Sequence, residues 1–299
     1  MHPFWKITPG GNPTILLRAE DVPADRRATL AAAVMEDQHL HAEQVGYVRL
    51  SGTPRLDMMG GEFCLNATRA FALLLAEQGL LQEENGVLSG LVEVSGVAEP
   101  VAVRVTRREG SLPVAEACLH FTDLPRPEAL EGGLTMVRLP GICHMLQSGQ
   151  RPAPAEFAAF CEHQRRDCGV DGEEAVGHLW VTPEDSPAGV PAGKTDSQPA
   201  AAAPRRNENG EHMELLSMYP VVWVRDTATL CHESACGSGT LACALAAHAA
   251  SGALSFGIRQ PSGFQLTVRL EKTPDGWDVW TGGPARMTAR GETDLTGFL

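Results

Sequence analysis

The chain has 299 residues and a formal net charge of −13 at pH 7, and only 5% of its residues are aromatic. A chain of this length favours two domains with buried cores. The acidic charge disfavours nucleic acids and anionic membranes as partners, because both would be repelled. Neither a signal peptide nor a long apolar run is visible, so a soluble, cytoplasmic protein is expected.

The first half alternates short apolar segments with turn residues. Apolar or β-branched residues that flank Gly, Asn and Pro predict strands, and apolar residues at helical spacing predict helices. One predicted helix, residues 67–76, is apolar almost all round and should be buried on every side. The other predicted elements are strands over 6–17, a helix over 25–38, strands at 43–50 and 55–59, and β-rich runs at 90–94, 101–105 and 114–119.

The second half repeats this alternation after a proline-containing crossing at residues 123–127. Residues 184–211 are rich in Pro, Ala, Gly, Ser and Asn without periodicity, which predicts a surface insertion or a disordered loop, to which no function is assigned. The predicted elements are strands at 134–139 and 140–146, a helix over 155–168, strands at 176–182 and 218–224, a buried helix over 242–250, and strands within 258–270 and 277–299.

One short motif occurs twice, around Cys64 in the first half and around Cys236 in the second. In both copies a threonine follows the cysteine by four residues, Thr68 in one and Thr240 in the other, and an alanine-rich apolar run continues beyond. A supersecondary unit that occurs twice indicates two similar halves.

A cysteine directly before a helix faces unsatisfied backbone N–H groups and the positive end of the helix dipole, which lowers the pKa of its thiol. The same N–H groups bind carboxylates. If two such helix ends face one small anion, a thiolate can remove a Cα proton while a thiol opposite returns one to the other face. Cys64 and Cys236 could therefore racemise or epimerise an amino acid. Only three lysines occur, none in a context typical of a pyridoxal Schiff base, so no cofactor is expected.

The other cysteines have simpler interpretations. Eight cysteines at scattered positions do not form a compact disulfide framework, so free thiols are expected. A metal site is a weak alternative, because Cys231 and His232 lack a second pair of ligands. Hydrolysis by a serine nucleophile is a weaker alternative still, since no Gly-x-Ser-x-Gly elbow is present. Small buried apolar residues are expected at Cys118, Cys143, Cys161, Cys168 and Cys243.

The two cysteine motifs, together with Gly11-Asn12, resemble those of the diaminopimelate epimerase family, whose members carry Cys-Gly-Asn-Gly and Ala-Cys-Gly-(Thr/Ser)-Gly. The resemblance implies an α/β (α+β) fold of two pseudo-symmetric domains, each a mainly antiparallel sheet around a buried central helix. The active site would lie between them. The expected domains span residues 1–124 and 125–284, and a last strand at about 285–299 would return to the first domain.

The resemblance also implies roles for individual residues. Cys64 and Cys236 would be the acid/base pair, and Asn12 would lie near the substrate. Leu65 stands where the epimerases have glycine, although its backbone N–H is unaffected. The substrate carboxylate would meet the backbone N–H groups of Leu65, Asn66, Gly237 and Ser238.

The chain looks more similar to the histidine racemase branch, in which the glutamate that matches Glu43 lies at the substrate pocket. Glu43 could bind the amine or the imidazole of histidine, or it could cap a neighbouring strand or loop. Glu233, in the second motif, is a further substrate-binding candidate. Ile142 replaces an asparagine that holds the far end of diaminopimelate in the epimerases. The similar segments are 9–16, 43–46, 61–68, 233–240 and 260–263.

These patterns together predict an isomerase, a cofactor-independent two-base amino-acid racemase or epimerase, with histidine as the favoured substrate and no metal. Diaminopimelate epimerisation from the LL to the meso form is the alternative within the family. A phenazine-biosynthesis-like isomerase, which uses carboxylates, and a non-catalytic small-molecule binder on the same fold are the alternatives outside it. A small amino acid is the expected partner, and a homodimer stays open.

Overall fold

The computed structural model describes residues 1–183, 213–225 and 228–296. The insertion expected at residues 184–211 lies outside the described residues. No helix of the described part is long and apolar enough to cross a membrane.

The described residues form a mixed α+β fold with 17 strands in one large sheet. The helices are α1 Arg27–Met35, α2 Leu65–Glu77, α3 Phe157–Asp167 and α4 Gly237–Ser251. The strands are β1 His2–Pro9, β2 Thr14–Arg18, β3 Gln44–Arg49, β4 Arg55–Met58, β5 Gln82–Glu84, β6 Val87–Val94, β7 Val101–Thr106, β8 Val114–Phe121, β9 Glu128–Ala129, β10 Thr135–Leu139, β11 Ile142–Gln147, β12 Ala175–Pro183, β13 Glu214–Val224, β14 Thr229–His232, β15 Ser255–Arg259, β16 Gln265–Thr273 and β17 Gly276–Thr293.

The same order of strand pairings occurs in both halves. In the first half β1 pairs antiparallel with β2, β2 parallel with β3, β3 antiparallel with β4 and β4 parallel with β6, and β6, β7 and β8 form a meander. In the second half β10, β11, β12, β13, β15, β16 and β17 pair in the same order and directions. Helices α2 and α4 occupy equivalent crossovers, each between two parallel strands. The residue bounds of the two domains stay a prediction.

Strand β17 belongs to both halves. Its first part pairs with β8 from the first half and with β16 from the second. Its second part continues along β1, so that Ala285 lies opposite Pro9 and Thr293 opposite His2. The sheet therefore runs without a break from one half to the other, and both central helices contact β17.

Helix α2 is buried on every side, as its composition predicted. All residues from Leu65 to Ala76 are buried, and only the last, Glu77, reaches solvent. Helix α4 is buried only as far as Leu245, and its last turns emerge to the surface. It ends at Gly252 in the left-handed conformation that glycine adopts readily, with φ 74°. Both helices bury their N-terminal ends, which contain the cysteine motifs.

Candidate active site

Cys64 is the N-cap residue of α2, with the extended conformation of an N-cap. Its Sγ accepts the backbone N–H of Ala67 at 3.4 Å, and Thr68 Oγ1 donates to the Cys64 carbonyl at 2.8 Å. The thiol thus stands where helices usually have a serine, threonine or aspartate oxygen. It lies at the positive end of the helix dipole.

Cys236 occupies the equivalent position before α4, in nearly the same backbone conformation. Its Sγ accepts the N–H of Gly239 at 3.3 Å, and Thr240 Oγ1 donates to the Cys236 carbonyl at 2.6 Å. The matched threonines therefore have the same structural role, which is to fix the carbonyl of the cysteine in the first turn.

The two helix N-termini meet each other. Asn66 Nδ2 donates to the carbonyl of Ala235, directly before Cys236, at 2.9 Å. A Cβ on Gly237 would lie 2.8 Å from Leu65 Cβ and 3.0 Å from Asn66 Oδ1. The structure thus brings together the first residues of α2 and α4, and with them the residues whose N–H groups were expected to bind a carboxylate: Leu65, Asn66, Gly237 and Ser238.

The expectation that the helix ends lower the pKa of the two thiols is wrong, because the pKa of each thiol is raised overall. Burial raises the pKa of the Cys64 thiol to about 12 and that of Cys236 well above its ordinary value. The N–H groups of Ala67 and Gly239 do act in the expected direction and lower the pKa. They are outweighed because a thiolate loses more hydration in this interior than one or two hydrogen bonds restore. Both cysteines are therefore protonated at neutral pH.

The Cys64 thiol donates a hydrogen bond to a glutamine that the sequence did not single out. The Cys64 thiol lies 2.9 Å from Gln44 Oε1, and Gln44 Nε2 donates to Thr14 Oγ1 at 2.7 Å. Since the NH₂ end of the amide is used by Thr14, the oxygen faces the sulfur and can only accept. Gln44 therefore stabilises the protonated form of Cys64.

Glu233 lies against Cys236. The Glu233 carboxylate raises the pKa of the Cys236 thiol further, after burial, and burial raises the pKa of Glu233 to about 7. The Oε2 atom of Glu233 is buried without a hydrogen-bond partner among the described residues. A carboxyl with this pKa can take a proton from its neighbour and return it near neutral pH.

A series of polar side-chain contacts also connects His144 to Cys236 through Ser238. His144 Nε2 lies 3.0 Å from Ser238 Oγ, which lies 3.5 Å from Cys236 Sγ. Burial lowers the pKa of His144 to about 3, so the imidazole is neutral. Its Nδ1 has no partner in the described structure and lies over Gly177, where a Cβ would come within 2.0 Å. An unmet buried acceptor costs less than an unmet donor, so we assign the proton to Nε2. The Ser238 hydroxyl is then free to donate to Cys236.

Glu43 and Asn12 lie together beside the second motif. Asn12 Nδ2 donates to Glu43 Oε2 at 2.6 Å and lies 3.4 Å from the Ala235 carbonyl, and the Ser234 hydroxyl donates to the other oxygen of Glu43. Burial of the carboxyl raises the pKa of Glu43, although the residue as a whole is exposed. Asn12 Oδ1 is buried without a partner among the described residues. The carboxylate thus joins the two halves.

Four residues at this site were not predicted as site residues: Gln44, His144, Gln260 and Arg69. Gln260 Oε1 accepts the Cys236 N–H at 3.1 Å, and its Nε2 donates to Thr240 Oγ1 at 3.0 Å, so it holds the second motif in place. Gln44 and Gln260 both lie in segments that resemble the histidine racemase branch. That location was the available signal, since neither residue has a characteristic spacing.

Other chemistry-bearing groups lie apart from this site. Within the described ranges, no group of three or more His, Cys, Asp or Glu side chains is placed to hold a metal ion. A cleft of about 820 Å³ lies on the outer face of the sheet, lined by residues such as Arg104, Glu116 and Arg269. None of the candidate site residues lines it.

Solved structures share this fold. The phenazine biosynthesis protein of the PhzF family from Bacillus anthracis has a TM-score of 0.62 and 12% sequence identity, and the match covers 98% of this chain and 99% of that one. A probable proline racemase from Agrobacterium radiobacter has a TM-score of 0.59 and 12% identity, covering 100% of this chain and 94% of that one. At these identities the likeness shows the fold alone, a mixed α+β fold with a large sheet.

The sequence comparisons define the class and the family. A histidine racemase from Fusobacterium nucleatum is 26% identical over 294 residues, which cover 97% of this chain and 95% of that protein. The chain is an isomerase, an amino-acid racemase. The family model described as the histidine racemase CntK N-terminal domain matches residues 2–182, more than half of the chain. The chain belongs to this histidine racemase family, which confirms the resemblance found in the sequence.

Proposed function

We propose that this enzyme racemises histidine without a cofactor, and that Cys64 and Cys236 exchange protons with opposite faces of Cα. The observation that carries the proposal is the meeting of two cysteine-capped helix ends, joined by the bond from Asn66 Nδ2 to the Ala235 carbonyl at 2.9 Å. Histidine is the proposed substrate because the family is one of histidine racemases. The proposal includes a diaminopimelate epimerase-like division into two domains that meet at residues 124 and 125.

The substrate carboxylate would bind between the two helix ends. In each helix the third N–H bonds the cysteine sulfur and the fourth bonds the cysteine carbonyl. This leaves the first two N–H groups of each helix, at Leu65, Asn66, Gly237 and Ser238, for a small anion. As Cα loses its proton, negative charge moves onto the carboxylate, and these preorganised donors would stabilise it.

Proton transfer would begin at Cys236. Glu233 takes the Cys236 proton, and the thiolate is then stabilised by the Ser238 hydroxyl and the Gly239 N–H. The thiolate removes the Cα proton on one side, and Cys64, held as a thiol by Gln44, donates a proton on the other. One proton leaves the substrate and one enters, so the centre inverts. One turnover leaves Cys64 as the thiolate and Cys236 as the thiol, which is the form that the opposite enantiomer uses, with the two cysteines in the reverse order. The first form returns when Glu233 loses its proton to solvent and Cys64 gains one from solvent.

The cationic group of the substrate would bind Glu43 and Asn12. Asn12 Oδ1 is a buried acceptor without a partner in the described part of the chain, and the Glu43 carboxylate lies beside it. An ammonium or imidazolium would satisfy both groups. Ile142, where the epimerases carry an asparagine, packs against the apolar core. Without that amide, the chain has no group at this position to hold the polar far end of diaminopimelate, which disfavours diaminopimelate as the substrate.

The proposed function is tested by solvent deuterium. The purified enzyme is incubated in D₂O with single L-amino acids, histidine and diaminopimelate included, and without pyridoxal phosphate. We expect D-histidine that carries one deuterium at Cα and little exchange into diaminopimelate. Deuterium that enters another amino acid but not histidine would overturn the substrate. Exchange that requires pyridoxal phosphate would overturn the mechanism.

A further inference from the structure

Arg69 is the largest fully buried side chain among the described residues, with an exposed fraction of 0%. Its Nε donates to the Ala115 carbonyl at 2.9 Å, its Nη2 to the Pro284 carbonyl at 3.4 Å and its Nη1 to Asn66 Oδ1 at 3.4 Å. All three acceptors are neutral. Glu116 acts on the guanidinium electrostatically, but no described carboxylate forms an ion pair or a hydrogen bond with it. A guanidinium buried in this way costs free energy that an apolar side chain of similar volume would not. Stability therefore does not explain why a charged residue occupies this position.

The contacts of Arg69 connect strands β8 and β17 to the first cysteine motif. Ala115 lies on β8 and Pro284 on β17, the two paired strands that link the halves. Asn66 lies one helical turn before Arg69, on the same face of α2. With its oxygen bonded by Arg69, the Asn66 amide must turn its NH₂ group away, and that group donates to the Ala235 carbonyl at 2.9 Å.

The second motif lacks an equivalent arginine–asparagine pair. Ser238 and Leu241 stand at the positions of Asn66 and Arg69 in that copy. Ser238 contacts His144 and Cys236 of its own half instead of the other half. The link between the two helix ends is therefore made from the first motif, and the orientation of one amide decides whether it forms.

We infer that Arg69 is a positioning residue, which holds the Asn66 amide as the bridge to Ala235 and thereby fixes the spacing of Cys64 and Cys236. The inference rests on the proposed two-base racemisation. A small error in the spacing of two proton-transfer groups lowers the rate steeply, because the substrate must reach both. Arg69 itself contacts no reacting atom.

The test is a double-mutant cycle on the full-length enzyme, with Arg69→Met, Asn66→Leu and the double variant. Asn66→Leu keeps the backbone N–H but removes the bridge. We expect each single variant to lower kcat/KM about 100-fold. We expect the double variant to be no worse than the more damaged single variant, because both changes remove one bridge. Arg69→Lys, which keeps the charge and one donor, should recover part of the loss.

Arg165→Met is the matched control. Arg165 is also buried, at 6% exposed, but it pairs with Asp171 and lies over the Trp223 ring, and neither contact involves Asn66, Cys64 or Cys236. We expect it to keep kcat/KM within about threefold of wild type. If Arg69→Met does not fold, Arg69→Lys replaces it in the cycle.

The inference is overturned if a folded Arg69→Met variant keeps the wild-type kcat/KM, or if the two losses multiply in the double variant. Multiplied losses would mean that Arg69 and Asn66 act independently. A wild-type enzyme without racemase activity would overturn the proposed function and this inference together. An active wild type with multiplied losses overturns this inference alone.

Discussion

The two cysteines accept helix N–H groups, yet burial raises the pKa of both thiols. What distinguishes them is the hydrogen-bond partner of each. Gln44 can only accept a hydrogen bond from the Cys64 thiol, whereas the Glu233 carboxylate can take the proton of Cys236. The site is therefore asymmetric in its chemistry although its helices are related by repetition. We therefore expect the pH dependence of activity to follow the titration of Glu233.

Glu233→Gln should remove the proton acceptor of Cys236. Burial raises the Glu233 pKa to about 7, so its charged form is lost below that pH and wild-type activity should fall there. In the variant we expect kcat/KM to fall about 10²–10⁴-fold and the dependence near pH 7 to disappear. The neutral amide should be tolerated, since burial disfavours the carboxylate.

The measurement is kcat/KM for histidine between pH 5 and pH 9, at about unit intervals. The control is Glu173→Gln, which alters a carboxylate that pairs with Arg138 on the surface. A Glu233→Gln variant with the wild-type pH profile would show that another group accepts the proton.

Glu43→Gln tests binding of the substrate cation. Glutamine can accept from Asn12 with its oxygen and donate to Ser234 Oγ with its NH₂ group, but it removes the negative charge. Loss of a charged hydrogen bond costs about 1.5–3 kcal/mol, so KM for histidine should rise about 10–100-fold with a smaller change in kcat. Initial rates over a range of histidine concentrations measure this. A fall in kcat at unchanged KM would place Glu43 in the chemical step instead.

At the scale of elements, packing between neighbouring strands positions the polar groups. His144 on β11 lies over Gly177 on β12, and a Cβ at Gly177 would come within 2.0 Å of His144 Nδ1 and 2.6 Å of Cε1. The glycine is required for the imidazole to reach Ser238. A strand glycine often marks such a close approach.

Gly177→Ala should therefore displace His144 and break its bond to Ser238. We expect a loss of about 1–3 kcal/mol in the free energy of unfolding from overpacking. We expect a fall in kcat of about tenfold or more from the lost hydrogen bond to Ser238. Gly172→Ala is the matched control, since a Cβ there meets nothing within 4 Å. Equal activity in the two variants would contradict a role for His144.

Much of the element order could be predicted from the sequence. The helix predicted at 67–76 is α2, which begins two residues earlier, at Leu65, because the cysteine itself is the cap. The helix predicted at 25–38 is the shorter α1, Arg27–Met35. Local periodicity could find these helices because each buries a continuous apolar surface. It gave no information on strand pairing, so the sharing of β17 between the halves could not be derived from residue patterns.

At the candidate site, too, local sequence patterns predicted some features and could not predict those that depend on the folded structure. The motifs predicted which helix ends carry the cysteines, since repetition is visible in the sequence. The contacts of Gln44 and His144 depend on strands that are distant in sequence from the cysteines. The net direction of the thiol pKa depends on how deeply the folded chain buries the helix ends, which no local pattern encodes.

At the scale of the whole molecule, the site exists only where the two halves touch. The two helix ends approach closely at Gly237, since a Cβ there would lie 2.8 Å from Leu65 Cβ. The two helix ends are otherwise held together through Asn66 and Ala235. Catalysis should therefore depend on the contact between the halves more strongly than folding does.

Gly237→Ala should push the two helix ends apart by a few tenths of an ångström or more. We expect kcat/KM to fall about 10–100-fold, while the melting temperature changes little because alanine favours a helix. Ala250→Ser, on the exposed end of the same helix, is the control and should retain activity. Racemisation and thermal unfolding of the two variants provide the comparison. Wild-type turnover in Gly237→Ala would show that the spacing is not critical.

The most direct test of the two-cysteine mechanism is the racemisation rate of Cys64→Ala and Cys236→Ala, measured on folded protein with histidine of each configuration. If the thiols act on opposite faces of Cα, each variant loses racemisation, because inversion needs both a base and an acid. Each removes only a small side chain, so the melting temperature should stay close to that of the wild type. Near-normal racemisation by either folded variant would contradict the two-cysteine mechanism.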